Sequence, residues 1–189
     1  MRCDSHVHIV APHEIHPQVQ NRTYLAAPAP LDALERTAAP RAIERFVIVQ
    51  PSFYGTDNSA TLDALSELGD DGRGVAVIDP ATTARKTLTE YRRRGIRGLR
   101  INLYSPVKTP GVASLEAGFA AIADVARSMN WHIQVIAPLP ILLRNADLLA
   151  QSPVPVVIDH YGLYGGAQPG DADGQRLLGL LGHPHVWVK

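Results

Sequence analysis

Short β-branched runs recur along this chain, each ending in polar or turn residues and each followed by a segment with helical spacing, which restricts it to a repeated βα architecture. Seven strands are expected: Arg2 to Ile9, Arg45 to Ser52, Gly74 to Pro80, Ile96 to Leu103, His132 to Ala137, Val154 to His160 and His185 to Lys189. The helix between the fourth and fifth is the plainest. Over Ser114 to Met129, Leu115, Phe119, Ile122 and Ala126 fall on one apolar stripe that must face the sheet. Thr83 to Arg94 repeats the pattern with Ala84, Leu88 and Tyr91, then ends in Arg92, Arg93 and Arg94 before Gly95. Cations complement the carboxyl end of a helix dipole and glycine supplies the left-handed cap, so the arginine run reads as structural rather than as a phosphate site.

Such alternation closes into a barrel or opens into a doubly wound sheet. An open nucleotide-binding sheet wants a glycine-rich turn after its first strand, and Val10-Ala11-Pro12-His13-Glu14 offers none. Polar side chains instead mark the carboxyl ends of several strands, as a barrel site requires: His6 and His8, Gln50 and Ser52, Arg100 and Asn102, Gln134, and His160. The expected fold is therefore α/β, a (βα)8 TIM-type barrel interrupted after strand seven, forming a single domain over residues 1–189. An open barrel would leave the edges of strands one and seven free to pair with another chain, so a homo-oligomer is a further expectation.

The segment Asp4-Ser5-His6-Val7-His8 carries the chemistry. On an extended chain, residues i and i+2 share a face, so Asp4, His6 and His8 look the same way and two imidazoles converge. The stretch Met1 to Ile9 itself reads as a buried strand. His160, emerging from the apolar run Val156 to Ile158, is the third imidazole. Arg100 lies inside Gly98-Leu99-Arg100-Ile101-Asn102-Leu103, where a guanidinium is costly unless it meets an anion, either a neighbouring carboxylate or a substrate acid. Tyr24 and Ser52 could bond the same anion. Arg97 reads as an ordinary salt bridge, His13 and His16 as solvated loop residues, His132 as structural, and His183 and His185 as loop residues on the far face.

Lysine plus arginine equal aspartate plus glutamate at 18 each, which gives no basic tract for nucleic acid or a membrane surface. No apolar run is long enough to cross a bilayer. The single cysteine, Cys3, precludes an intrachain disulfide and fits a reducing cytoplasm. The expected partner is a small molecule.

Together, Asp4-x-His6-x-His8, Arg97-Gly98-Leu99-Arg100-Ile101-Asn102, Trp131-His132-Ile133-Gln134, Ile158-Asp159-His160-Tyr161-Gly162 and Val186-Trp187-Val188-Lys189 resemble the amidohydrolase superfamily, and within it the branch of 2-pyrone-4,6-dicarboxylate lactonases. That resemblance implies a (βα)8 barrel that hydrolyses a ring ester, a carboxylate-bearing lactone as substrate, His6, His8 and His160 as the catalytic histidines, and Tyr24, Ser52 and Arg100 around the substrate acid; Asn102 and Gln134, placed at the same rim by strand alternation, are expected to bind substrate beside them. It implies at most one divalent metal, zinc on His6, His8 and His160, or metal-independent chemistry; Gln134 and Ile136 on strand five leave no ligand for a second ion. Two departures stand out. The superfamily's general base is an aspartate on an eighth strand beyond this sequence, and Tyr104-Ser105-Pro106 stands where the branch carries a second arginine, with Lys108 nearby. A metal-dependent decarboxylase or amide hydrolase, or an acid-binding chain without turnover, are the alternatives.

Overall fold

Each β-branched run becomes a strand because flanking helices cover its apolar side chains. A computed structural model describes residues 2–22, 24–105 and 107–189; Met1, and Pro106 of the Tyr104-Ser105-Pro106 segment, lie outside the described residues. The strands are β1 (Arg2–Val7), β2 (Ile43–Val49), β3 (Gly72–Ala76), β4 (Ile96–Asn102), β5 (His132–Ile136), β6 (Val156–Ile158) and β7 (Val186–Val188). All pair in parallel and in sequence order, from β1 to β7. The helices are α1 (Leu31–Ala38), α2 (Ser59–Leu68), α3 (Arg85–Arg93), α4 (Leu115–Met129), α5 (Leu139–Arg144), α6 (Ala146–Ala150) and α7 (Ala172–Leu181). The result is a curled sheet with helices packed on it, seven-eighths of a TIM-type barrel. Lys189 Nζ donates to Ser5 O at 2.6 Å, so the end of the chain reaches from β7 back to β1.

The predicted stripe on α4 is the heart of the packing: Leu115, Phe119, Ile122 and Ala126 are all buried. Each of the larger three contributes about 1.5–3 kcal/mol relative to exposure. Ser114 caps this helix by accepting from Ala117 N, and Asn130 ends it in a left-handed conformation. At α3 the helix begins only at Arg85, leaving Ala84 outside it and exposed, while Leu88 is buried. Gly95 takes φ +98°, the left-handed residue expected after the arginine run.

Strand one differs from its expected form. Cys3 and Ser5 are exposed on β1, an edge strand of the sheet, whose pairing with β2 is irregular between Asp4 and Val7. Asp4 turns back on its own chain, its Oδ1 accepting from His6 N at 3.1 Å, rather than joining the imidazoles. At the opposite edge Trp187 is 62% exposed. Among the described residues, no helix is long and apolar enough to cross a membrane.

Candidate active site

The site forms where β1, β4, β5 and β6 end. His6 sits on β1 and His8 just beyond it, with ring centroids 5.1 Å apart; His160 lies 5.0 Å from His6. The three imidazoles expected to converge therefore do so, but His160 arrives by a different route. Strand β6 stops at Ile158, and His160, Tyr161, Gly162 and Leu163 all take φ between +48° and +70°. Three of these four residues carry a side chain in the left-handed region, which costs of order 1 kcal/mol apiece and persists only where surrounding contacts impose it. Here β7 imposes it, since Tyr161 N donates to Lys189 O at 2.9 Å and Lys189 N to Ile158 O at 3.0 Å.

Behind the imidazoles stands Asp159, 1% exposed, whose role the sequence pattern left unassigned. Its Oδ2 accepts from Arg100 Nη2 at 3.1 Å and from Gln134 Nε2 at 3.0 Å, while Oδ1 faces His6 Nδ1 at 3.5 Å. Arg100 thus finds its anion within the protein, and its other hydrogen bond runs from Nη1 to Gln50 O at 3.0 Å. Burial alone would raise the Asp159 carboxyl. The His6 imidazole, the Arg100 charge and the Gln134 amide outweigh it and hold the group below the usual carboxylate range. Burial likewise presses the Arg100 guanidinium downward, opposed chiefly by Asp159.

Two of the imidazoles, His8 and His160, are disposed to be neutral. His8 Nδ1 lies 2.6 Å from Val49 O, an acceptor only, so Nδ1 carries the proton and Nε2 offers a lone pair. Desolvation by the surrounding protein, only partly offset by that bond, pushes His8 down to about 4, although an edge of the residue stays exposed. Desolvation also lowers His160, against the pull of Asp159.

Four buried polar atoms at this point have no hydrogen-bond partner: His6 Nε2, Arg100 Nε, Gln134 Oε1 and Asp159 Oδ1. Buried polar atoms are ordinarily satisfied, so their convergence marks a place built to receive something polar. For a metal, the ligand atoms of His6, Asp159 and His160 all lie within 4.8 Å of one another. The grouping differs from the expected His6, His8 and His160 in that it includes the Asp159 carboxylate and not His8, whose Nδ1 bonds Val49 O.

The remaining predicted residues separate. Gln134 is wholly buried against Asp159 and supports the site from behind. Asn102 spends its amide on its own loop, Oδ1 accepting from Tyr104 N and Ser105 N and Nδ2 donating to Ser105 Oγ. Ser52, Lys108 and Arg100 line one crevice of about 10 Å³, room for a single water. Tyr24 is 60% exposed and packs edge-on against Phe53. Gln50 reaches the site with its carbonyl, which accepts from Arg100, while its wholly buried amide turns to α2, accepting from Thr61 Oγ1 and donating to Asp57 O, because β2 ends at Val49. His16 is not merely solvated, since its Nε2 meets Asp63 at 3.1 Å. Arg97 makes no salt bridge among the described residues; its Nη1 donates to Arg92 O and Ile96 O. His132 packs its ring over Gly98, where an added Cβ would collide with it.

A family model described as amidohydrolase matches residues 3–189, nearly the whole chain. The chain belongs to the amidohydrolase family. It is 30% identical over 188 residues to a 4-sulfomuconolactone hydrolase of Rhizobium radiobacter, covering 98% of this chain and 62% of that protein. A 2-pyrone-4,6-dicarboxylate hydrolase of Comamonas testosteroni is 27% identical over 190 residues, 98% of this chain and 60% of the relative. Among solved structures, a probable 2-pyrone-4,6-dicarboxylic acid hydrolase from Acinetobacter baumannii with citric acid bound superposes with a TM-score of 0.82 at 27% identity, over 99% of this chain and 68% of that one. The chain thus spans about three-fifths of the length of these curated amidohydrolase relatives.

Proposed function

We propose that this chain carries the imidazole and arginine part of a hydrolase site that opens a carboxylate-bearing lactone by attack of water. The convergence of three imidazoles beside the buried Asp159–Arg100 pair, with four polar atoms of His6, Arg100, Gln134 and Asp159 left without a hydrogen bond among the described residues, carries this reading. Two relatives named as hydrolases of a sulfonated lactone and of a pyrone dicarboxylate, and a structural relative holding citric acid, support the substrate class.

Hydrolysis needs a group that accepts a proton from water as oxygen attacks the ring carbonyl, and a proton for the ring oxygen as its bond to that carbon breaks. Neutral His8, with Nδ1–H fixed on Val49 O, presents Nε2 as an acceptor. His6, with Nδ1 turned to the Asp159 carboxylate, does the same with Nε2. Imidazoles held in this tautomer accept protons rather than donate to an oxyanion, so they act on water more readily than on the carbonyl. Where a divalent ion such as zinc is bound, His6, Asp159 and His160 would hold it, and it would supply electrophilic polarisation of the carbonyl. Arg100 sets the position of Asp159, and Ser52 and Lys108 at the adjoining crevice, with Tyr24 from the loop before α1, would meet the substrate acid. The lone exposed Cys3, unpaired, suits a reducing cytoplasm.

The test is a panel of carboxylated lactones assayed by acid release, with and without chelator, on the natural sequence and on His160→Ala. The variant is expected to lose at least about 100-fold in turnover while its urea midpoint stays near that of the parent. An unchanged rate in the variant overturns the assignment of His160, and retention of full rate in metal-stripped protein removes the zinc.

A further inference from the structure

At the amino-terminal pole of the sheet, opposite the imidazole rim, a groove of about 470 Å³ is lined by Arg73, Arg93, Arg94 and Arg97 with Ser66 and Asp70. Four arginines crowd one groove of a chain whose formal net charge is zero. Two are neutralised: Arg93 forks onto Glu90 at 2.6 and 2.8 Å, and Arg94 reaches Asp63 at 3.2 Å and Ser66 at 2.9 Å.

The other two are not. Arg73 Nη1 donates to Asp70 O at 3.1 Å and Gly72 O at 2.6 Å, and Arg97 Nη1 donates to Arg92 O at 2.7 Å and Ile96 O at 2.8 Å. Each guanidinium is therefore steadied by main-chain carbonyls through one nitrogen. Neither forms an ion pair with a carboxylate among the described residues, and Nη2 and Nε of both have no hydrogen bond there. The carbonyls at the end of α3 absorb part of this charge, but not its donors. Asp70 is the only acid lining the groove and pairs with neither. The two side chains rise from the neighbouring parallel strands β3 and β4, whose backbones run about 4.8 Å apart. Their charges bear on each other: burial first, then Arg73 and Arg92, presses the Arg97 guanidinium downward. The expected salt bridge of Arg97 is replaced by a like-charged neighbour, an arrangement that an anion between them would relieve.

We propose that Arg73 and Arg97 form a binding site for a phosphate group, each guanidinium donating its free edge to one tetrahedral oxyanion. The site is separate from the imidazole rim and does not depend on the reaction proposed there. Its ligand is inorganic phosphate or the phosphoryl end of a small metabolite, and the two sources are distinguished by titrating the 189-residue chain with sodium phosphate and with glycerol 3-phosphate.

Both titrations are run by calorimetry at constant ionic strength held with sodium chloride. Saturable binding of at least one of the two is expected, weakened at least tenfold in R73Q/R97Q and changed less than twofold in R93Q, whose guanidinium belongs to Glu90. R97K keeps the charge but loses the fork, and should weaken binding by at least threefold. If the double variant fails to fold, R97K and phosphorus NMR line-broadening with the parent chain decide the question. Heats no larger than those of added chloride, or binding by R97K and the double variant equal to the parent, overturn the proposal.

Discussion

Arg97 and Arg100 stand three residues apart on β4 and live in different electrostatic worlds. Arg100, 4% exposed at the carboxyl-terminal rim, is held by a buried carboxylate and a backbone carbonyl. Arg97, exposed at the amino-terminal pole, touches only carbonyls. One residue type on one strand thus serves a prearranged site at one end and an open, uncompensated groove at the other. In this fold the position of carboxylates, rather than of cations, decides which end is preorganised.

The largest perturbation of that contrast is removal of the rim carboxylate. Asp159→Asn leaves Arg100 buried beside a neutral amide, and a broken buried pair costs about 3–5 kcal/mol. Urea unfolding followed by circular dichroism measures it; a loss below about 1 kcal/mol would mean that the pair adds little beyond its own desolvation. A smaller effect is expected lower on the same strand, where Gly98→Ala pushes a methyl group into the His132 ring. Overpacking of this kind costs about 1–3 kcal/mol. Combining it with His132→Ala should restore part of the loss, and a strictly additive double variant would show that the ring is not what the glycine accommodates.

The smallest effect concerns pH. Burial, with help from Lys189, holds His132 below the ordinary histidine range. The unfolded chain therefore takes up a proton that the folded chain resists. The stability this imidazole contributes is complete above about pH 6.5 and is lost as the pH falls below that value, by at most about 1.4 kcal/mol per unit. His132→Gln should flatten the slope of the urea midpoint between pH 7.5 and 5.5, and an unaltered slope would place the proton uptake elsewhere.

Much of this was legible before any coordinates. Seven strands and the α4 stripe follow from β-branched runs and helical spacing, because burial of those side chains is the strongest local constraint on the chain. The convergence of His6 and His8 follows from the pleat. At Gln50 alternation fails for the side chain, because β2 ends at Val49, Pro51 turns the chain and the amide finds Thr61, while the carbonyl alone meets Arg100. His160 reaches the rim by a route that alternation does not describe, since the strand ends two residues earlier and a left-handed run carries the ring across. Alternation marks Gln134, but the role of Asp159 emerges only through Arg100, 59 positions away, so no local pattern distinguishes Asp159 from an ordinary strand-end residue. The pairing of Arg73 with Arg97 is equally invisible in one dimension.

The left-handed run at His160 has a consequence for how the protein is made. Its geometry is clamped by the main chain of Lys189, so the third imidazole cannot settle while β7 is still threading the ribosomal exit tunnel. The third imidazole is thus fixed by main-chain bonds to a residue far along the chain, and it takes its place only once β7 has paired beside β6.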